Sequence, residues 1–195
     1  MGLATFIGGI HPYEGKELSE DKPIKVLEPL QGEIMVYPLS QHIGAPAKPL
    51  VAKGDHVLKG QIIAEAGGFI SANVLSSVSG TVKGIESKLV ANGAMVQSIL
   101  VENDGEEEAI EGFGTDRDAT KLSKEEIRKI VKDAGIVGLG GAGFPTHVKL
   151  TPKDENAIDY VIVNGAECEP YLTSDYRTMM ERPEQIIGGL KVMLQ

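Results

Sequence analysis

The rhythm of hydrophobic and polar positions changes part-way along the chain. Up to about residue 103, apolar residues come in short runs interrupted by Gly, Asp and Asn, the pattern of short strands joined by tight turns. A Gly54-Asp55 step precedes Val57, a Gly60-Gln61 step precedes Ile62 and Ile63, Ser79-Gly80 precedes Val82 and Ile85, and Asn92-Gly93 precedes Met95 and Val96. Gly-Asp and Asn-Gly steps supply the positive-φ positions that hairpins need, and their recurrence makes a weak internal repeat. Beyond residue 120 the pattern becomes helix, loop, strand and helix. Ser123 and Glu126 form a capping box, Ile127, Ile130, Val131 and Ala134 share one helical face, and Gly135 is a left-handed stop. Tyr160-Val161-Ile162-Val163 predicts a buried strand. The spacing over 188–195 is that of a helix cut mid-way, so a truncated chain is expected.

Between these halves lie Glu102, Asp104, Glu106, Glu107, Glu108 and a polar run to Thr120. Charges of one sign packed this densely repel and stay solvated, which predicts an exposed linker. The expected organisation is a β-rich domain over 1–103, an acidic linker over 104–120, and an α/β domain over 121–195. The fold class is α+β and multidomain.

Composition narrows the function classes. The 195 residues carry 42% hydrophobic and 24% charged positions, ordinary for a globular protein. Glycine is abundant at 24 residues, which favours tight turns and close approach of backbone to a ligand. The net charge is −9 and no Lys/Arg cluster forms a stripe. Nucleic acid is excluded as a partner on that ground, because phosphate neutralisation supplies most such affinity. No apolar run approaches the roughly 20 residues needed to span a bilayer, and the N-terminal residues lack a signal-peptide pattern. Cys168 is the only cysteine. It excludes an internal disulfide and a four-cysteine iron–sulfur cluster held by this chain alone, and fits a reducing cytoplasm.

The front half resembles the barrel-sandwich hybrid of biotinyl and lipoyl carrier domains. Such carriers display a modified lysine on a hairpin tip, but here the corresponding residues are Gly67, Gly68, Phe69, Ile70, Ser71 and Ala72. A swinging-arm function is therefore disfavoured and the scaffold is retained. Gly9-Ile10-His11-Pro12 and Gln41-His42-Ile43-Gly44 place two histidines in loops, either as ligands or proton carriers, or as hydrogen-bonded loop residues. His56, beside Asp55, is expected to be merely solvated.

Two stretches carry chemistry. Gly138, Gly140 and Gly143 satisfy G-x-G-x-x-G, with Gly141 adding a fourth glycine in six residues. The dinucleotide fingerprint requires a preceding strand and an acidic residue closing the next one. This loop instead follows a capped helix, and Asp159 precedes the next predicted strand, so a Rossmann reading fails on context. The absent side chains still let backbone N–H groups approach a phosphate or a flat ring system. Pro145 favours starting a helix whose N-terminus attracts anions, and Lys149 can add a cation. A tight crossing of packed backbones is the alternative. The second stretch is Asn164-Gly165-Ala166-Glu167-Cys168-Glu169, at the C-terminal edge of the predicted strand, where α/β sheets usually bind ligands. Its carboxylates can bind a metal, exchange protons, or accept hydrogen bonds from ribose and amide groups; a solvated acidic turn is the bland alternative. Metal binding ranks last for want of further His or Cys, and Cys168 has no evident base.

Taken together, the glycine run from Gly138 to Leu150 and the run Val163-Asn164-Gly165-Ala166-Glu167-Cys168-Glu169-Pro170-Tyr171-Leu172 resemble the RnfC component of the Rnf ion-translocating electron-transport complex. Gly8-Gly9-Ile10-His11-Pro12, Gln41-His42-Ile43-Gly44-Ala45-Pro46 and Ser76-Ser77-Val78-Ser79-Gly80-Thr81-Val82 extend the likeness to the front half. The back half is also similar to the flavin-bearing, NADH-oxidising subunit of respiratory complex I. The resemblance implies FMN at Gly138, Gly140, Gly141, Gly143 and Phe144, with Lys149 near its phosphate and Asn164 near the flavin. It further implies that Glu167 and Glu169 face NAD(H). Leu139 stands where the complex I relative has an arginine and Ala166 where it has an aspartate. The expected role is part of a membrane-bound ferredoxin:NAD oxidoreductase, peripheral on the cytoplasmic face of the inner membrane through partner subunits. Ferredoxin would be an indirect partner, and [4Fe-4S] clusters would lie only in a further C-terminal part. The isolated chain is expected to be inactive. A cobalamin-reducing flavoprotein of microcompartments and a non-catalytic docking module are the alternatives.

Overall fold

The computed structural model describes residues 10, 12–139, 141 and 143–195. They fall into two compact units, one spanning 27–159 and the other combining the residues before 27 with 160–194. The larger unit contains β1 (Ile34–Pro38), β2 (Lys48–Pro49), β3 (His56–Val57), β4 (Ile62–Glu65), β5 (Val74–Leu75), β6 (Gly80–Leu89) and β7 (Met95–Asn103). All pairings are antiparallel, giving one sheet in the order β1-β7-β6-β3 and a second in the order β2-β4-β5.

The turn chemistry read from the sequence is what joins these strands. Asn92-Gly93 closes the β6–β7 hairpin, with Gly93 at φ 82° and the Asn92 carboxamide oxygen accepting from the Ala94 amide at 3.0 Å. The register of that pair slips between Val82 and Gly84, and such a bulge bends and twists a strand. Val82 is buried between exposed Thr81 and Lys83, so one face of β6 turns inward. The two sheets share one core. Tyr37, Val57, Val82, Ile99 and Val101 come from the first, and Ile63, Ala64 and Val74 from the second. This is the expected barrel-sandwich hybrid. The segment between β4 and β5, which would display the lysine of a carrier domain, is the hairpin connection 66–73.

The acidic stretch after β7 keeps its glutamates exposed, yet its backbone is fastened to the barrel. The Lys59 amide donates to Glu108 O at 2.9 Å, and the Ile110 amide donates back to Lys59 O at 3.1 Å. The Asp104 carboxylate accepts from the Ser79 hydroxyl at 2.6 Å and the Glu106 amide at 2.9 Å, and pairs with His56 Nε2 at 3.0 Å. His56 is therefore a partner of Asp104, a correction to its reading as solvated only. These hydrogen bonds, led by the one from Ser79, lower the Asp104 pKa.

Helix α1 (Lys124–Asp133) begins as its capping box predicts. The Ser123 hydroxyl accepts from the Glu126 amide, and the Glu126 carboxylate accepts from the Ser123 amide. Ile127 is its buried anchor, and Gly135, at φ 63°, ends it. Lys124 and Arg128 both reach Glu155, and Arg128 Nε also donates to Leu150 O at 2.8 Å. Those two cations hold the Glu155 carboxyl down at about 2.

The smaller unit contains α3 (Ser174–Glu181) and α4 (Pro183–Met193). Residues 160–163 do not form the predicted buried strand; Tyr160 is 85% exposed and Ile162 86%. A strand apolar on both faces needs pairing along its edges and cover above and below. Among the described residues nothing pairs with this one, so hydrophobicity alone leaves it unpaired.

Candidate functional site

The glycine segment forms a narrow neck that carries a glycine-rich tip. Residues 136–138 run antiparallel to 144–146, with the Gly138 amide donating to Phe144 O and the Thr146 amide to Ile136 O, each at 3.0 Å, and a bridge between Val137 and Pro145. Leu139, Gly141 and Gly143 are the described residues of the tip beyond this neck. Leu139 is 94% exposed, and a Cβ on Gly141 would meet nothing within 4 Å. Among the described residues no hydrogen bond uses the amides of Leu139, Gly141 or Gly143. At Gly141 the backbone can offer its amide to an anion with no side chain of its own in the way. Gly140 and Ala142 lie outside the described residues.

The other predicted members of this group take distinct places. Gly143 is buried at φ 63°, where a Cβ would sit 2.8 Å from Gln41 O. Phe144 is half-buried in the neck. Pro145 caps rather than enters α2 (Thr146–Lys149), a single turn that ends at exposed Lys149. His147, on the same turn, was not singled out from the sequence. Its partial burial, with the charge of Lys132 second, lowers its pKa, so the ring is neutral at pH 7.

Asn164, Glu167 and Glu169 belong to the smaller unit. The Asn164 side-chain oxygen accepts from the Ala166 amide at 3.0 Å, an Asx turn that shapes the start of the acidic segment. One carboxylate oxygen of Glu167 accepts from the Asp175 amide at 2.7 Å and the Tyr176 amide at 3.0 Å. It thereby satisfies two of the unpaired donors at the start of α3, where a negative charge is favoured. Lys16 steadies the turn that carries Glu169. Its ammonium donates to Glu169 O at 3.0 Å and Leu172 O at 2.7 Å. Tyr171, between them, sits at φ 67°, and its amide donates to Glu14 O at 2.6 Å. Lys16 too was missed from sequence, because its partners are backbone carbonyls more than 150 residues away. Cys168 is exposed with a free thiol. Of the two loop histidines, His42 is buried at 8% exposure, and His11 lies outside the described residues.

The described residues define a class: a barrel-sandwich hybrid followed by a glycine-rich module. Comparison with known proteins agrees on both parts. Residues 4–106 match the RnfC barrel sandwich hybrid domain, and residues 131–195 match the Nuo51 FMN-binding domain. The chain belongs to the RnfC family and corresponds to the N-terminal region of the RnfC component of the Rnf complex. It is 44% identical over 193 residues to the RnfC-type component of the proton-translocating ferredoxin:NAD(+) oxidoreductase complex of Clostridium ljungdahlii, covering 99% of this chain and 42% of that protein. It is also 44% identical over 194 residues to the corresponding component of the Na(+)-translocating ferredoxin:NAD(+) oxidoreductase complex of Acetobacterium woodii, covering 98% and 43% respectively. The corresponding component of the ion-translocating oxidoreductase complex of Rhodobacter capsulatus is 43% identical over 188 residues, 95% of this chain and 36% of the relative. The chain thus spans less than half the length of these relatives. No helix among the described residues is long and apolar enough to cross a membrane.

Proposed function

We propose that this chain is the FMN-binding, NAD(H)-facing part of a ferredoxin:NAD oxidoreductase coupled to ion translocation. One observation carries the reading: Gly141, beyond the neck, has open space where a Cβ would stand and an amide with no acceptor among the described residues, within the segment that matches the FMN-binding domain. The residues present fit a flavin mononucleotide, whose phosphate needs donors and whose ring needs a flat approach. In this reading Gly140, Gly141 and Gly143 supply the bare backbone, and Gly138 and Phe144 hold the neck beneath it. Lys149 lends a positive charge to the phosphate, and Asn164 lies near the flavin. When bound, FMN would accept a hydride and release electrons singly.

The carboxylates of Glu167 and Glu169 set the field felt by the nicotinamide, favouring one charge state over the other. Glu167 is pre-oriented for this by its hold on the α3 amides. The wider reading has 1–103 as barrel, 104–120 as linker and 121–195 as flavin module. The protein attaches to the cytoplasmic face of the membrane through other subunits, and [4Fe-4S] clusters outside this chain pass electrons to or from ferredoxin.

The test is FMN titration of the full-length protein, followed by flavin fluorescence and visible absorption, beside a Gly141→Val variant. Because a Cβ at 141 meets no protein atom, the variant should keep the wild-type fold and melting point. Its branched side chain would occupy the space proposed for the phosphate, so FMN affinity should fall at least tenfold, about 1.4 kcal/mol. Equal affinity in the two proteins would refute the site.

A further inference from the structure

The carrier-like barrel does not use its hairpin tip to display a lysine, and the structure shows what the surrounding loops do instead. Both ends of the glycine neck rest on them. At the entry, Gly135 lies so close to the 66–73 connection that a Cβ would be 2.4 Å from Asn73 O. At the exit, a Cβ on Gly143 would be 2.8 Å from Gln41 O and 3.0 Å from His42 Cα. The two barrel loops are in turn locked together. The buried Ser71 hydroxyl accepts from the Gly67 amide at 2.9 Å and donates to Ala45 O at 2.8 Å, and the Ala45 amide donates to Ile70 O at 3.0 Å.

His42 is the centre of this lock. Its Nδ1 lies 3.1 Å from Ile43 O, and its Nε2 accepts from the Ala72 amide at 3.1 Å. A carbonyl can only accept, so Nδ1 carries the proton and Nε2 is bare; both bonds require the neutral ring in that one tautomer. Asn73 makes the second tie. Its oxygen accepts from the Ala66 amide at 2.9 Å, while its NH₂ group lies 3.4 Å from both Lys132 O and Asp133 O, the last carbonyls of α1.

We propose that His42 and Asn73 are positioning residues for the glycine loop, so that the barrel is the seat on which the FMN-phosphate loop is held in its binding shape. The proposal rests on the flavin reading above. A tip this rich in glycine does not order itself, because glycine gains the most freedom when released. Whatever order it has must come from its neck, and a ligand that must first order the loop binds more weakly. His42 acts through Gly143, which lies against its backbone, and Asn73 through Gly135.

The experiment compares wild type, His42→Leu, His42→Gln and Asn73→Ala in the full-length protein. It measures FMN affinity by fluorescence and ligand-free backbone amide exchange. In His42→Leu, exchange over 136–146 should accelerate at least tenfold and FMN affinity should fall at least tenfold, while the 99–101 core stays protected. The Gln oxygen can again accept from the Ala72 amide, so His42→Gln should recover most of both losses. Asn73→Ala, which leaves the His42 lock intact, should accelerate exchange at 134–138 and weaken FMN in the same direction. It serves as the decisive variant should His42→Leu fail to fold. Unchanged exchange over 136–146 in the folded variants would overturn the seat, as would a His42→Gln protein no better than His42→Leu. If wild type itself bound no FMN, the functional reading would fall, and the exchange comparison would still decide whether these residues seat the loop.

Discussion

Replacing Gly135 with alanine tests whether helix α1 is anchored to the barrel through that residue. Gly135 adopts φ 63° at the end of α1, and a Cβ there would come within 2.4 Å of Asn73 O and 2.9 Å of Leu75 Cδ1. Two costs arise. Holding a non-glycine residue in the left-handed region costs about 1 kcal/mol. Forcing a methyl group against a backbone carbonyl costs about 1–3 kcal/mol more, as overpacking does in cores. The carbonyl cannot easily yield, because the Asn73 side chain bonds both the Ala66 amide and the α1 carbonyls. The sum is about 2–4 kcal/mol. For a chain of this size that corresponds to a melting point lower by roughly 5–15 °C. Thermal unfolding followed by circular dichroism measures it, with Gly141→Ala as the control. A Cβ at 141 meets nothing, so the control should stay within about 0.5 kcal/mol of wild type. If Gly135→Ala melted together with that control, the close approach of α1 to the barrel would be refuted.

Two further predictions concern charge. Glu155 has its pKa depressed from 4.5 to about 2 by Lys124 and Arg128. Its contribution to stability is therefore complete above pH 4.5 and disappears as pH falls toward 2; Glu155→Gln should flatten the acid limb of a urea-unfolding pH series, and an unaltered limb would contradict the pairing. Asp104→Ala removes the acceptor shared by Ser79, the Glu106 amide and His56, and should cost about 2 kcal/mol, with faster amide exchange over 104–110. Because the Asp104 pKa is lowered, the stability gap between wild type and Asp104→Ala should narrow as pH falls below the ordinary aspartate range, and a gap constant from pH 7 to pH 3 would count against the ionic account.

What could be read from the sequence was what short-range chemistry decides. The Ser123–Glu126 box, the Gly135 stop and the Asn92-Gly93 hairpin each depend on residues within four positions of one another, and each formed as read. The barrel followed from the recurrence of such turns between apolar runs. The neck of the glycine run was not legible, since pairing of 136–138 with 144–146 leaves no compositional mark. Residues 160–163 were misread because apolar β-branched residues announce burial and strand preference but supply no partner. Long-range polar ties were the least visible. His56 meets Asp104 across 48 positions and Asn73 meets Lys132 across 59. Asn73 itself looks like any turn asparagine, and only its place under α1 gives it a task.

The smaller unit is built from two stretches far apart in the chain, and that connectivity imposes an order on biosynthesis. The Lys16 ammonium grips carbonyls 153 and 156 residues further on. At about 5–20 residues per second, a ribosome needs roughly 8–30 s to deliver them. The last barrel strand ends at Asn103, so the barrel can be complete in the later part of that interval, while the segment around Lys16 waits without its counterpart. The Lys16 contacts therefore form only after residues made well beyond the last barrel strand, and Lys16→Ala would strike the acidic turn without touching the barrel.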